Sequence, residues 1–298
     1  MSSSFPTCSQ NGVKFFLSTD QEFREHTVFL SKEFPISIYT QNFCYAASDS
    51  IPFHWHEEIQ VTWVVSGVLE TCINGETLQI SGNKLLLINK KTLHSSRPVG
   101  GDVKTLCINF SPDLFDPRVR DLCILPLLET SAFSHALLLL SPEQLKQMKT
   151  FLAWKSGSLQ YFSVINFLSR VFEQILTDNS KPKNSGDTME LHLFHTMIDF
   201  IHANYKEPLT LTQISASANV SKNRCAELFR KYSNLSPVKY LNEYRLYTAK
   251  NLIIHTDRSI SEISSDTGYN QLSYFIEQFR IAYGLSPLKY RNKFGQTS

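Results

Sequence analysis

Between Ile51 and Phe110 apolar and polar positions alternate in short runs, broken at Ser66-Gly67, Asn74-Gly75 and Ser81-Gly82. A period of two places successive side chains on opposite faces, so these runs predict strands. Asn74-Gly75 stands between Thr71-Cys72-Ile73 and Thr77-Leu78-Gln79-Ile80. That is a strong hairpin signal, because both turn residues tolerate the positive φ that tight hairpins require. Evenly spaced short strands predict a small barrel or jelly roll ending near Phe110. Upstream, Val13 to Phe16 and Ile36 to Tyr39 also read as short strands.

From Pro142 the period becomes helical. Ser141 can cap a helix running through about Trp154, with Pro142 in the first turn, where its missing N–H costs nothing. In the next helix Tyr161, Val164, Ile165, Leu168, Val171, Phe172 and Ile175 form one stripe, while Phe162, Phe167 and Leu176 lie off it. A helix apolar nearly all round needs two partners. One would be the barrel; the other is either the same helix of a second subunit, giving a homodimer, or more of the chain's own core. Thr177 to Asp187, TDNSKPKNSGD, lacks helical spacing and reads as a linker that lets its neighbours reorient.

The last third contains an internal repeat. FRKYSNLSPVKY from Phe229 returns as FRIAYGLSPLKY from Phe279, and seventeen aligned pairs through Arg245 and Gly295 include eight identities. About one would be expected by chance, so one unit was built twice. Each copy predicts two helices joined by a short turn. In the first, Thr210 and Gln213 form a capping box, Asn219 makes the turn, and Ser221 caps a helix with Cys225, Leu228, Phe229 and Tyr232 inward. In the second, Ser259 and Glu262 form the box, Gly268 the turn, and Asn270 caps a helix with Leu272, Phe275, Ile276 and Phe279 inward. A solenoid needs more copies than two, whereas a short-turn helix pair is the form of a DNA reader.

The closing pattern Gly268-Tyr269, Ser273-Tyr274-Phe275, Phe279-Arg280, Gly284-Leu285-Ser286-Pro287 and Tyr290-Arg291 resembles that of the AraC/XylS family of bacterial transcription regulators, over about Met189 to Phe294. The expected class is therefore α+β with two domains. Residues 1–176 form a cupin-like β-barrel with flanking helices for ligand sensing and dimerisation, 177–187 a linker, and 188–298 an all-α DNA-binding domain with two helix-turn-helix units. The resemblance implies activation through RNA polymerase as the common outcome.

Duplex DNA offers phosphates for affinity and groove edges for sequence. Arg230, Lys239, Arg280 and Lys289 recur at corresponding places near helices capped by Ser236 and Ser286 with Pro237 and Pro287 in the first turn, and are assigned to phosphate. Base readout falls to the outward face of each second helix: Lys222, Asn223, Ala226 and Glu227 in one copy, Gln271, Ser273, Tyr274 and Glu277 in the other. Glu227 and Glu277 either accept from cytosine or point into water. The joining helix, Pro237 to about Ile254, is roughly 27 Å long, near one turn of B-DNA, so both readers could enter successive major-groove segments on one face.

Composition changes this picture little. With 298 residues, 42% hydrophobic and 19% charged, the chain is globular. It shows neither a secretory signal nor a membrane-length apolar run, so a cytoplasmic location and no membrane partner are expected. From Thr188 onward there are 13 Lys+Arg against 9 Asp+Glu, a mild excess of the sign phosphate needs. Six scattered cysteines without a C-x-x-C pair predict free thiols.

The remaining candidate chemistry lies in the barrel. His54-Trp55-His56 and His94 resemble metal-binding positions of cupins, but the expected Glu is replaced by Gln60 or Val61. The histidines then bind a metal, contact a ligand or serve structure; the ligand site expected is His54, His56, Trp63 and His94, with no metal and no cofactor, and Trp63 either stacks on a sugar there or, the favoured reading, fills the core. No nucleophile elbow, phosphate-cradling glycine loop or H-E-x-x-H occurs, so no catalytic residue is expected and the chain should not be an enzyme. The leading function is a regulator answering a small molecule, a sugar or organic acid. The alternatives are a cupin metalloenzyme with a DNA-binding tail, or a constitutive DNA-binding protein with a dimerisation barrel.

Overall fold

The computed structural model describes residues 4–10, 13–18, 29–130, 133–153, 158–177 and 188–295. Of the linker expected at 177–187, Thr177 ends a helix and the rest lies outside the described residues, as does Trp154.

Among the described residues, eleven antiparallel strands make two sheets. They are β1 (Ser4–Gln10), β2 (Val13–Ser18), β3 (Ile36–Phe43), β4 (Ile51–His54), β5 (Ile59–Ser66), β6 (Leu69–Ile73), β7 (Glu76–Ile80), β8 (Lys84–Ile88), β9 (His94–Pro98), β10 (Val103–Phe110) and β11 (His135–Leu139). The larger sheet runs β11-β8-β5-β10-β3-β1-β2 and the smaller β4-β9-β6-β7. The hairpin at Asn74-Gly75 forms as its sequence requires, with φ of 50° and 85°.

The middle of the larger sheet is buried on both faces, which is why β5 and β8 read as nearly continuous apolar runs. Ile59, Val61 and Trp63 of β5, with Leu85 and Leu87 of β8, pack under a helical layer, whereas Val64, Leu86 and Ile88 point between the sheets. That layer contains two short helices, α1 (Pro117–Val119) and α2 (Leu125–Leu128), followed by α3 (Pro142–Phe151) and α4 (Ser158–Thr177). Ser141 and Gln144 form a complete capping box at the start of α3. In α4, Val164, Phe167, Leu168, Val171 and Phe172 are buried while Phe162 is 71% and Leu176 52% exposed. Phe167 thus faces the core, contrary to the stripe drawn from spacing, because that stripe is wide enough to include it.

The C-terminal part is all helical: α5 (Thr188–Asn204), α6 (Leu211–Ser217), α7 (Lys222–Ser233), α8 (Pro237–His255), α9 (Ile260–Asp266), α10 (Leu272–Tyr283) and α11 (Pro287–Phe294). The capping boxes at Thr210/Gln213 and Ser259/Glu262 are present. The turns fall at Asn219 and Gly268, with φ of 53° and 82°. Two predicted caps differ. The residue before α10 is Gln271 rather than Asn270 and makes no side-chain cap bond, and Ser286 likewise makes none, whereas Ser236 does. The repeat is carried into three dimensions: Phe229/Phe279 and Tyr240/Tyr290 are buried pairs, and the left-handed caps Asn234 and Gly284 end α7 and α10.

The first reader unit rests directly on the smaller sheet. Phe53 and Leu93 are buried in one cluster with Phe194, Met197, Ile198, Ile201 and Phe229, flanked by Trp55 and Cys72. At Gly75 an added Cβ would collide with the Lys231 carbonyl near the end of α7. Lys250, buried on α8, pairs with Asp49 at 3.0 Å.

Candidate nucleic-acid interface and the barrel interior

Alternation along each second helix sorts its residues. Cys225, Leu228, Phe229 and Tyr232 of α7 are buried, leaving Lys222, Asn223 and Glu227 exposed and Ala226 half-buried. Phe275 and Phe279 of α10 are buried, leaving Ser273, Tyr274 and Glu277 exposed, with Gln271 exposed just before the helix. Arg230, Lys239, Arg280 and Lys289 are all exposed. Tyr274, at 52% exposure, presents a large ring to solvent.

The two copies are not equivalent electrostatically. Glu227 pairs with Arg224 at 3.2 Å, and Arg224 also bonds Glu190 of α5. Lys231 joins Glu190 at 2.5 Å. Hydrogen bonds from Lys231 and Arg224 hold the Glu190 carboxyl at about 2, well below the usual carboxylate range. Lys239 lies 3.9 Å from Glu243, at the rim of a cleft between the sheet and the helices. Sequence reasoning missed this network, since Glu190 is more than thirty residues from Arg224 in the chain. It also missed two arginines that clamp carbonyls: Arg245 donates to Tyr205 O and Glu207 O, and Arg291 to Ile253 O and Arg258 O.

In the barrel the structure brings His54, His56 and His94 together and excludes Trp63. One ring nitrogen from each histidine lies within 4.8 Å of the others, and all three side chains are buried. Trp63 follows Thr62 on β5 and therefore points to the opposite face, under the helices, where Nε1 donates to Gly82 O at 2.8 Å. Its expected place in a ligand site with the histidines is thus corrected by strand alternation.

The Nδ1 atoms of His54, His56 and His94 face the carbonyls of Pro52, Glu58 and Thr92 at 2.8–2.9 Å. A carbonyl only accepts, so the His54 and His94 rings carry their proton on Nδ1. Burial pushes all three pKa values down, His54 to about 4, and keeps the rings neutral. His56 Nε2 lies 2.9 Å from the Gln60 amide, which also meets Thr62. Gln60 Oε1 is the atom that faces the ring and Gln60 Nε2 donates to Thr62 Oγ1, so both nitrogens of His56 look toward oxygen acceptors and a neutral ring can donate to only one of them. The space among His54, Gln60, Thr62, Thr71 and His94 is a cavity of only about 10 Å³. The interdomain cleft is far larger, about 760 Å³.

Comparison with known proteins decides the family. The AraC-like ligand binding domain matches residues 35–193, more than half of the chain, and a helix-turn-helix domain matches 214–293. The chain belongs to the AraC family of helix-turn-helix transcription regulators. It is a DNA-binding regulator with a cupin-like ligand-binding domain, not an enzyme. The uncharacterized HTH-type regulator YdeC of Bacillus subtilis is 26% identical over 91% of this AraC-family chain and 97% of its own. The melibiose operon regulatory protein of Escherichia coli is 24% identical over 80% of this chain and 82% of its own. The structure of ToxT from Vibrio cholerae aligns with a TM-score of 0.47 and 14% identity, covering 88% of this chain and all of that one. Among the described residues no helix is long and apolar enough to cross a membrane.

Proposed function

We propose that this regulator activates transcription in response to a small hydroxylated or carboxylated molecule, binding one face of a duplex through both reader units. The observation that carries the reading is the pairing of two units with exposed, corresponding basic residues, Arg230 with Arg280 and Lys239 with Lys289. These contact phosphate; Lys222, Asn223, Ala226, Glu227, Gln271, Ser273, Tyr274 and Glu277 read bases. The units are joined by α8, whose nineteen residues span roughly 28 Å. RNA polymerase is the partner in activation. The division into 1–176, 177–187 and 188–298 belongs to the same proposal, as does a homodimer formed through exposed Phe162 and Leu176 on α4.

Cavity sizes favour the interdomain cleft over the barrel interior for an organic effector. A site of a few hundred Å³ suits a small ligand, whereas about 10 Å³ holds one water or ion. The cleft is lined by Arg97 and Glu70 from the sheet and by Lys239, Glu243, Tyr244 and Tyr247 from α8. A molecule there would contact both halves and alter how they are arranged. The test is genome-wide mapping of binding sites, followed by duplex binding of the full chain at graded salt with candidate sugars and organic acids. Binding that ignores sequence at every salt concentration sinks the proposal.

A further inference from the structure

We infer that Arg224 and Lys231 form a further binding site for DNA backbone phosphate on the flank of the first reader unit, and that Glu190 holds this site in check as an internal substitute for the phosphate. The inference rests on the reading of α7 as a helix that enters the groove. What carries it further is the arrangement of charge around that helix. Arg224 and Lys231 are two turns of α7 apart and so lie on one side of it. That side is neither the core face of Cys225, Leu228 and Tyr232 nor the outward face of Asn223, Glu227 and Arg230, but the border between them. A border side chain on a helix lying in the major groove points at the groove wall, where the phosphates run.

Glu190, in the first turn of α5, reaches this border from the side of the core. One carboxylate oxygen accepts from Arg224 Nη2; the other accepts from Lys231 Nζ at 2.5 Å and from the Tyr232 hydroxyl at 3.2 Å. Charged donors converging on one anion suit a phosphate as well as a carboxylate. The Glu190 side chain is only 16% exposed, whereas those of Arg224 and Lys231 are 41% and 51% exposed, so the cations are open to a duplex and the carboxylate lies beneath them. Glu227 takes the other end of Arg224 at 3.2 Å. Two cations and two carboxylates sum to zero, and a neutral flank releases no counterions from DNA.

The internal repeat supplies a comparison within the same chain. The second unit has Tyr274 and Ile281 at the positions corresponding to Arg224 and Lys231, so its flank carries no such cations for an acid to restrain. The device belongs to the first unit, the one on which the barrel rests. There Gly75 of the hairpin abuts the Lys231 carbonyl, and Cys72 Sγ lies 4.0 Å from the Tyr232 carbonyl. The backbone carrying two of the three donors is therefore fixed by the barrel, and the Glu190 side chain is the part that yields.

The test is fluorescence anisotropy of the full-length protein at graded salt on two duplexes, a mapped site and a mixed-sequence duplex without one. Glu190→Gln keeps the shape and an acceptor for Tyr232 but removes the charge. It should tighten binding to both duplexes by up to about fivefold for each cation released, the worth of an exposed ion pair. The slope of log affinity against log salt should steepen by about one to two. In the Arg224→Met/Lys231→Met background the same substitution should change neither quantity, because the coupling is gone. Glu190→Ala gives the same readout should the amide variant not fold. A Glu190 that only fastens α5 to α7 would lower stability when replaced and leave the salt slope unaltered, which overturns the inference. A gain that persists in the doubly substituted background overturns it too, since the charge then acts without these cations. Wild type that binds neither duplex at low salt defeats the reading of α7 itself, an outcome distinct from normal wild-type binding that Glu190→Gln leaves unchanged.

Discussion

Gly75 and Gly82 make a controlled pair for the contact between barrel and reader. Both end strands of one hairpin region at positive φ, 85° and 62°, where any L side chain costs about 1–2 kcal/mol. They differ in what a methyl group would meet. At Gly82 nothing lies within 4 Å, whereas at Gly75 the Cβ would run into the Lys231 carbonyl on α7. That carbonyl belongs to a helix and cannot rotate aside, so the collision is relieved only by backing the barrel away. Backing away exposes Phe53 and Leu93, which are 5% and 2% exposed when docked. Full burial of such a side chain contributes about 1.5–3 kcal/mol, so release caps the additional cost at roughly 3–6 kcal/mol. Gly82→Ala should therefore lower stability by about 1–2 kcal/mol and leave interdomain protection unchanged. Gly75→Ala should cost more and speed amide exchange in 51–56 and 225–241. The measurements are denaturant unfolding and hydrogen exchange by mass spectrometry on the full chain. Equal losses and equal exchange in the two variants would refute the docking argument.

Three other outcomes are expected. Removing Asp49 should hurt more than removing Lys250: Asp49→Ala strands a buried ammonium, at about 3–5 kcal/mol, while Lys250→Met leaves Asp49 still accepting from Cys44 N; thermal unfolding of the two variants ranks them. Burial, with repulsion from His54, lowers the His202 pKa to about 3, and burial, with His192, lowers His195 to about 4. Both bind fewer protons folded than unfolded, so their stability is complete above the ordinary value of 6.5 and falls as pH drops toward 4; each should lose about 1.4 kcal/mol by pH 5.5, seen as a lower urea midpoint in metal-free protein, and His202→Gln should flatten its share. Arg280→Ala should weaken binding to every duplex and reduce the slope of log affinity against log salt by about one, whereas Gln271→Ala should change preference at particular bases, both read by fluorescence anisotropy.

Local signals were legible because they depend on neighbours in the chain. Capping boxes at Thr210/Gln213 and Ser259/Glu262 involve residues three apart, and Asn219, Gly268 and Asn74-Gly75 turn because of their own backbone freedom. At Asn270 the helix starts one residue later than predicted, and Ser286 stands at its helix start without the side-chain bond that Ser236 makes in the same Leu-Ser-Pro context. From sequence Trp63 can either stack on a ligand or fill the core; alternation along β5, which puts it on the other face from Gln60 and Thr62, decides for the core.

The sequence by itself determined the repeat, its helix starts and turns, and the sheet-rich first half, since backbone preference and hydrophobic period act over a few residues. Only the tertiary structure decided that His54, His56 and His94 converge, that Glu190 gathers Arg224 and Lys231, and that the barrel presses on α7 through Gly75. Those contacts join residues tens to hundreds of positions apart, and their pairing is chosen by how whole sheets and helices pack rather than by any preference a short stretch of chain can express.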